Sequence, residues 1–559
     1  MIRDLQGVVS LPSWDMPMSH MKTHWLPYAI RISRSITPPP LLIILLLAAL
    51  SPVIGYAVYY AFFHPLAKYP GPFWGKFTGL RAAYHAWIGD VHIDMWKCHE
   101  KYGPYVRYSP NYLLMNTTQA YKDVYGHNKN VRKSLAYLAM VHKTPSTFTL
   151  MDRHEHAWKK RILSQKLSDS AIRSFEPKIT GMIDRFCQYV CPPASTGKEN
   201  TVSKPFNMSE MCDYLFFDLV TSIVFGENFD LIRSPWYRHI PPALARSNER
   251  ISVIVQWPYV VWRRMDKVLF RNSVAGRKDF LRFAHNLVTE RVQRGSGDDV
   301  LSGLLDAADP TTGNKLTQDE IVAESILMLV AGECPSVMID AQLTGSGSDT
   351  SSTLLASLFF YLTRNPDKKD RLTREVRSKF STREEICLGP ALNSCRFLYA
   401  CIMECLRLTP PVAAAPFREV LKGGMIVDGH YVPEGTNVGT GLFSIQHNQE
   451  YFYSPFEFIP ERWLSEGKNA GPHNPDAHVP FSIGPRVCLG RALAHAELSL
   501  AMAIICWKMD FNVVESMKDI GAGNENAEYG RHRPGEFQLY DHITCARNGP
   551  MVEFRERSF

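Results

Sequence analysis

Pro480-Phe481-Ser482-Ile483-Gly484-Pro485-Arg486-Val487-Cys488-Leu489-Gly490-Arg491-Ala492 sets one cysteine between two glycines, beside an arginine and ahead of a helical pattern. A helix beginning near Cys488 points unpaired backbone N–H groups and the positive end of its dipole at the sulfur, which favours the thiolate. A thiolate is a ligand for haem iron. Gly484 permits a tight turn, Gly490 lets the backbone approach a flat macrocycle, Phe481 shields the sulfur and Arg486 is placed to meet a propionate carboxylate. The competing reading is an inert buried thiol, since free cysteine packs as a small hydrophobe.

The pattern Phe-x-x-Gly-x-Arg-x-Cys-x-Gly resembles, at every defining position, the ligand loop of the cytochromes P-450, the haem-thiolate monooxygenases. The resemblance implies a mainly α fold with small β-sheets and haem b as cofactor. Cys488 is then the axial iron ligand, with Phe481, Gly484, Arg486 and Gly490 around the cofactor. Upstream, Gly347-Ser348-Asp349-Thr350-Ser351-Ser352-Thr353 resembles the family's oxygen-activating segment, which makes Asp349 and Thr350 the expected proton-delivery pair. Dioxygen on iron needs protons to break its O–O bond, and thiolate donation favours that cleavage. Alone, Asp-Thr reads as a surface pair or a helix cap.

Glu404 and Arg407 stand one turn apart on one helical face and resemble the family's Glu-x-x-Arg pair. Spacing by itself says little, because Glu528-Tyr529-Gly530-Arg531 has it without helical context. Arg462, in Phe458-Ile459-Pro460-Glu461-Arg462-Trp463, resembles the third member of a buried Glu-Arg-Arg cluster, a structural role suited to a planar, permanently charged guanidinium. Where the family has Trp-x-x-x-Arg, this chain has His156-x-x-x-Lys160; the resemblance places both at the propionates, and a solvated basic face is the alternative. Arg418, after the small side chains of Pro410 to Phe417, is a further expected propionate contact, or a surface cation.

Composition narrows the partners. A net charge of +7 over 559 residues, without a basic tract interleaved with aromatics, does not suggest nucleic-acid binding. Twelve cysteines show no disulfide framework, and Cys187/Cys191 and Cys401/Cys405 have helical spacing, so they read as buried free thiols in a reducing compartment. The chain has no Gly-x-Gly-x-x-Gly fingerprint for a nicotinamide cofactor. Electrons must then come from a partner, and the resemblance points to an NADPH-dependent flavoprotein reductase docking on the basic face near Cys488. The implied reaction oxidises an apolar small molecule with dioxygen, in a style resembling fungal secondary metabolism. A haem-thiolate isomerase or dehydratase, and a non-catalytic haem or lipophile binder, are the alternatives.

Along the chain, residues 1–40 form an extension without assigned fold, and Pro38-Pro39-Pro40 is expected to stop any helix. Residues 41–63 are uncharged and long enough, at about 1.5 Å per residue, to cross a hydrocarbon core of about 30 Å. This predicts a single membrane anchor, with the endoplasmic reticulum and a cytosolic catalytic domain implied by the family; flanking Lys and Arg leave the orientation open. Residues 64–72 form a proline-rich hinge, and 73–559 the catalytic domain, with extended pieces near Tyr105–Tyr112, Gly424–Val432 and Thr544–Phe554. Thr317-Gln318-Asp319-Glu320 is a capping box ahead of a long helix.

Residues 333–347 interrupt that helix with Pro335 and several glycines and serines. Removing them joins Ala331-Gly332 to Ser348-Asp349-Thr350 and restores the family's Ala-Gly-x-Asp-Thr. Gly332-Glu333-Cys334 can be encoded with the splice-donor sequence GTGAGT, so a retained in-frame intron is expected, with a genuine loop insertion as the rival. Helix should resume near Ser348.

Overall fold

The computed structural model describes residues 38–141, 144–192, 202–295, 297–331, 348–465 and 471–557. The anchor is a helix, Pro38–Val58, continued by a π-helical turn, Tyr59–Phe63. The three prolines open this helix instead of stopping it: first-turn N–H groups have no intrahelical acceptor, so proline loses nothing there. From Ile43 to Phe63 the span is apolar, none of it is buried within the protein, and it is long enough to cross a membrane. It belongs to the first of two compact units, Met1–His64; the second is Pro65–Phe559. Within the second, the end of the expected hinge is fastened down. The Arg107 N–H donates to Pro70 O at 2.8 Å, and a Cβ on Gly71 would strike Arg107 O at 2.1 Å.

The core of the larger unit forms around the helix Ser348–Arg364, whose residues Thr350 to Thr363 are all buried. Helix does resume at Ser348. A helix enclosed on all sides needs partners on all sides, and Met208–Phe225, Arg396–Leu408 and Arg491–Lys508 pack against it. Ahead of it, Gln318–Ala331 starts at the expected capping box: the Glu320 N–H donates to Thr317 Oγ1 at 3.3 Å and the Thr317 N–H to Glu320 Oε2 at 2.8 Å. The suspected insertion, 333–347, lies outside the described residues.

Five short strands make the main sheet, in the order Tyr105–Ser109, Tyr112–Met115, Asn437–Gly439, Arg418–Val420, Val131–Lys133. Only the pairing of Tyr112–Met115 with Asn437–Gly439 is parallel. Three of these strands have three residues each, too few for a periodic pattern, so pairing rather than propensity defines them. The expected piece at Gly424–Val432 is the hairpin Met425–Val427/His430–Val432. That at Thr544–Phe554 divides between two sheets: Thr544–Ala546 pairs with Tyr540–His542, and Met551–Glu556 with Met509–Val513. The last strand pair of the main sheet sets Lys133 opposite Arg418.

Candidate functional site

Cys488 sits in the turn before the helix Arg491–Lys508, for which Gly490 is the N-cap, so the helix begins three residues beyond the sulfur-bearing position. It is 6 % exposed, and its N–H donates to Phe481 O at 3.0 Å, closing the loop on itself. Phe481 is buried, with the Arg491 guanidinium 5.8 Å from its ring centroid. Gly484 has φ +72°, and a Cβ there would meet Tyr125 O at 2.3 Å; both the turn and the close approach require glycine.

Beside the loop is a cleft of about 660 Å³. Eight Lys and Arg side chains line it, and no Asp or Glu. Several of the cations are tied outward: Arg161 to Asp309, Arg132 to Glu419, Lys129 to Asp123. Lys160 turns inward, its Nζ donating to Pro485 O at 2.8 Å, which joins the helix Arg153–Lys166 to the ligand loop. Arg418 and Lys133 are buried opposite one another, and Arg486 reaches Thr147 O at 3.5 Å. His156 is buried among them. Burial first, then the charges of Arg486, Lys133, Lys160 and Arg418, push its pKa well below the usual imidazole value, so in this cleft it is neutral rather than one more cation. Burial, then Arg486, brings Lys160 down to about 8.

So much buried positive charge without a carboxylate calls for an anion. Two propionates on the edge of a planar macrocycle meet that need, and the residues present therefore fit haem. Along 154–161, His154 is exposed at the cleft's edge, His156 is buried and Lys160 half-buried in its wall, and Lys159 is buried against Glu320 at 2.7 Å.

Glu404, Arg407 and Arg462 form one buried cluster. Arg407 donates to both Glu404 oxygens, Nη2 to Oε1 at 2.7 Å and Nε to Oε2 at 3.0 Å, while Arg462 Nε donates to Oε1 at 3.0 Å. The Ile459 N–H and Trp463 Nε1 add two more donors, at 3.1 and 2.9 Å. Burial would raise the Glu404 pKa; the charge and hydrogen bonds of Arg407, with Arg462 and the Ile459 N–H, hold it below the ordinary carboxylate value. Glu528 and Arg531, with the same spacing, form no such pair: Glu528 faces Lys97, while Arg531 donates to Gln538 and Leu539.

Thr350 is buried near the start of the helix Ser348–Arg364; the Asp349 side chain lies outside the described residues. Three contributors escaped the sequence reading. Lys133 enters the cleft only through its strand pairing with Arg418. Glu324, fully buried, accepts from Thr147 Oγ1 at 2.8 Å, and Thr147 O in turn accepts from Arg486. Trp463 could have been found, since it adjoins Arg462 in the quoted motif.

With this geometry in view, the comparisons with known proteins agree. The family description "Cytochrome P450" matches residues 65–523, and the chain belongs to that family of haem-thiolate monooxygenases. Among curated relatives, the cytochrome P450 monooxygenase AKT7 of Alternaria alternata is 41 % identical over 523 residues, covering 91 % of this chain and 97 % of that one. The cytochrome P450 monooxygenase poxM of Penicillium oxalicum is 39 % identical, covering 90 % and 92 %. The cytochrome P450 monooxygenase atnE of Emericella nidulans is also 39 % identical, covering 89 % and 93 %.

Replacing Glu404 by Ala strands two buried guanidinium groups, at a cost of about 3–5 kcal/mol. The variant is expected to purify with little haem and a lowered melting temperature. Wild-type haem content in Glu404→Ala would show that the cluster does not support the site.

Proposed function

We propose that this chain is a membrane-held monooxygenase of fungal secondary metabolism that oxidises an apolar small molecule with haem b. What carries the reading is the Cys488 loop beside a cleft lined by eight Lys and Arg side chains and no carboxylate. Bound haem supplies an iron that activates dioxygen, with thiolate donation favouring O–O cleavage. Cys488 would hold the iron through its thiolate. Arg486, Arg418 and Lys160 bind the propionates, and neutral His156 donates a hydrogen bond to one of them. Phe481 and the Gly484 and Gly490 turns exclude water from the sulfur and let the macrocycle approach the backbone. Asp349 and Thr350 hold and pass the protons that the reaction consumes. Glu404, Arg407 and Arg462 keep the loop in register, a structural role.

Electrons come from an NADPH-dependent flavoprotein reductase that meets the basic face near Cys488, where Arg153 and Arg491 are exposed. The anchor, residues 41–63, sits in the endoplasmic reticulum membrane, with residues 64–72 leading to a cytosolic catalytic domain, 73–559. A second lipid contact is supported by exposed Trp74, Leu80 and Trp87 near the helix Leu80–Ile88, and by Tyr259, Trp262 and Leu269 beyond the helix Ile240–Gln256 that packs on it. Residues 333–347 are read as a retained intron, whose removal restores Ala-Gly-x-Asp-Thr.

In cells the full-length chain should stay with the membrane pellet and carry no glycan at the Asn116 or Asn207 sequons, because a cytosolic domain never meets the glycosylation machinery. A glycan at either site reverses the orientation. Sequencing the transcript across codons 332–348 should find messages lacking the fifteen codons 333–347; an active protein encoded only by messages that keep them defeats the intron reading. A strain without the gene should accumulate the unoxidised precursor, and restoring the gene with Cys488→Ser should leave it accumulating. That protein should lack the long-wavelength carbon monoxide band of thiolate-ligated haem. Normal product from Cys488→Ser would overturn the assignment.

A further inference from the structure

A second, small cavity of about 40 Å³, room for a polar end group rather than a whole substrate, adjoins the basic cleft. Lys133 and Arg418 line the cleft; the next residue, Ser134, and the preceding one, Phe417, line this cavity. Its walls are mostly carbon, with Ala86, Val91, Val412, Ala414, Ala415 and Phe417 prominent, and no Lys, Arg or His faces it.

The polar side chains in the lining divide into two groups. Three are committed to the protein. Ser252 Oγ donates to Ala86 O at 3.0 Å, Ser134 Oγ accepts from the Ala136 N–H at 3.4 Å, and Asp541 accepts from the Ala414 and Ile543 N–H groups at 2.7 and 3.0 Å. The other two are Gln256, 7 % exposed at the end of the helix Ile240–Gln256, and Tyr137, 2 % exposed. Among the described residues the Gln256 amide and the Tyr137 hydroxyl have no hydrogen-bond partner, and neither belongs to the fully enclosed polar atoms, so both keep open surface in the cavity they line. Polar groups in a carbon-walled space are satisfied best by a ligand that hydrogen-bonds them.

We propose that Gln256 reads a neutral hydrogen-bonding group, an amide or an alcohol, on an otherwise apolar substrate, and that the cavity rejects carboxylates. The proposal rests on the haem-thiolate reading of the Cys488 site and names its substrate class. An amide or hydroxyl both donates and accepts, as the side chain of Gln256 does. A carboxylate would enter an apolar space with no cation to pair it, beside Asp541. Burial pushes the Asp541 carboxyl up to about 6, and in its ionised form that neighbour repels a second anion. A site built to hydrogen-bond one substrate group discriminates strongly against analogues lacking it. Fixing that end of the substrate also decides which carbon is held for oxidation. Gln256 is therefore a specificity-determining residue rather than a catalytic one.

The test uses full-length haem-loaded protein in detergent micelles at neutral pH, titrated with decanamide and with decanoate and read by the haem absorbance shift. Imidazole, which binds iron directly, reports the haem site independently. Wild type should bind decanamide about ten-fold more tightly than decanoate, and Gln256→Met should lose about ten-fold toward decanamide with imidazole affinity unchanged, the scale of one buried hydrogen bond. Equal affinities for the two probes, no response to decanamide while imidazole binds, or decanamide bound by Gln256→Met as tightly as by wild type, each overturn the proposal. Failure of wild type to respond to imidazole strikes instead at the haem reading on which it rests.

Discussion

A single carboxylate buried with five donors around it underlies the site. Glu404 is wholly enclosed, and its two oxygens take hydrogen bonds from Arg407, Arg462, Ile459 and Trp463. Arg407 also donates to Gln446 O and Pro455 O, at 3.0 and 2.6 Å, so the helix Arg396–Leu408 is tied to the irregular chain that leads to Cys488. A buried ion pair is weak as a source of net stability, because desolvation opposes the Coulomb gain. Its value here is register: a loop without regular hydrogen bonding is held in place by a cluster that tolerates no missing member.

The cleft obeys the opposite electrostatic logic. Around Glu404 two guanidinium groups share one buried carboxylate within the chain. Around His156 the charges of Lys133, Lys160, Arg418 and Arg486 are of one sign, and burial together with them keeps the imidazole neutral. One cluster contains its own counter-charge and the other does not, and that difference separates scaffold from binding site.

The small carbon-walled cavity shares strands with that cleft. Because Val131–Lys133 pairs with Arg418–Val420, the residues flanking this pair face the carbon-walled space while the strand residues themselves line the cationic cleft. Asp541 holds the Ala414 end of the wall to the turn after Tyr540–His542, so the pocket is bounded by segments far apart in the chain. Its shape is therefore a property of the whole unit.

Residue order alone determined the site's chemistry at the local scale. The one-turn pair Glu404 and Arg407, the capping box at Thr317 and the closure of the Cys488 loop on Phe481 act through contacts within a few residues, where sequence and geometry are nearly the same thing. The resemblance supplied Arg462, a long-range member, because its motif is also short. What sequence could not reach depends on pairing between distant segments. Lys133 becomes a cleft residue only when a three-residue strand finds Arg418, Glu324 approaches the ligand loop only through Thr147, and Gln256 shares a cavity with the Ala414–Phe417 wall only after helix and sheet have packed. The prolines at 38–40 carry the same lesson in reverse: their effect depends on whether they stand in a first turn or a helix interior, a position that only the folded chain defines.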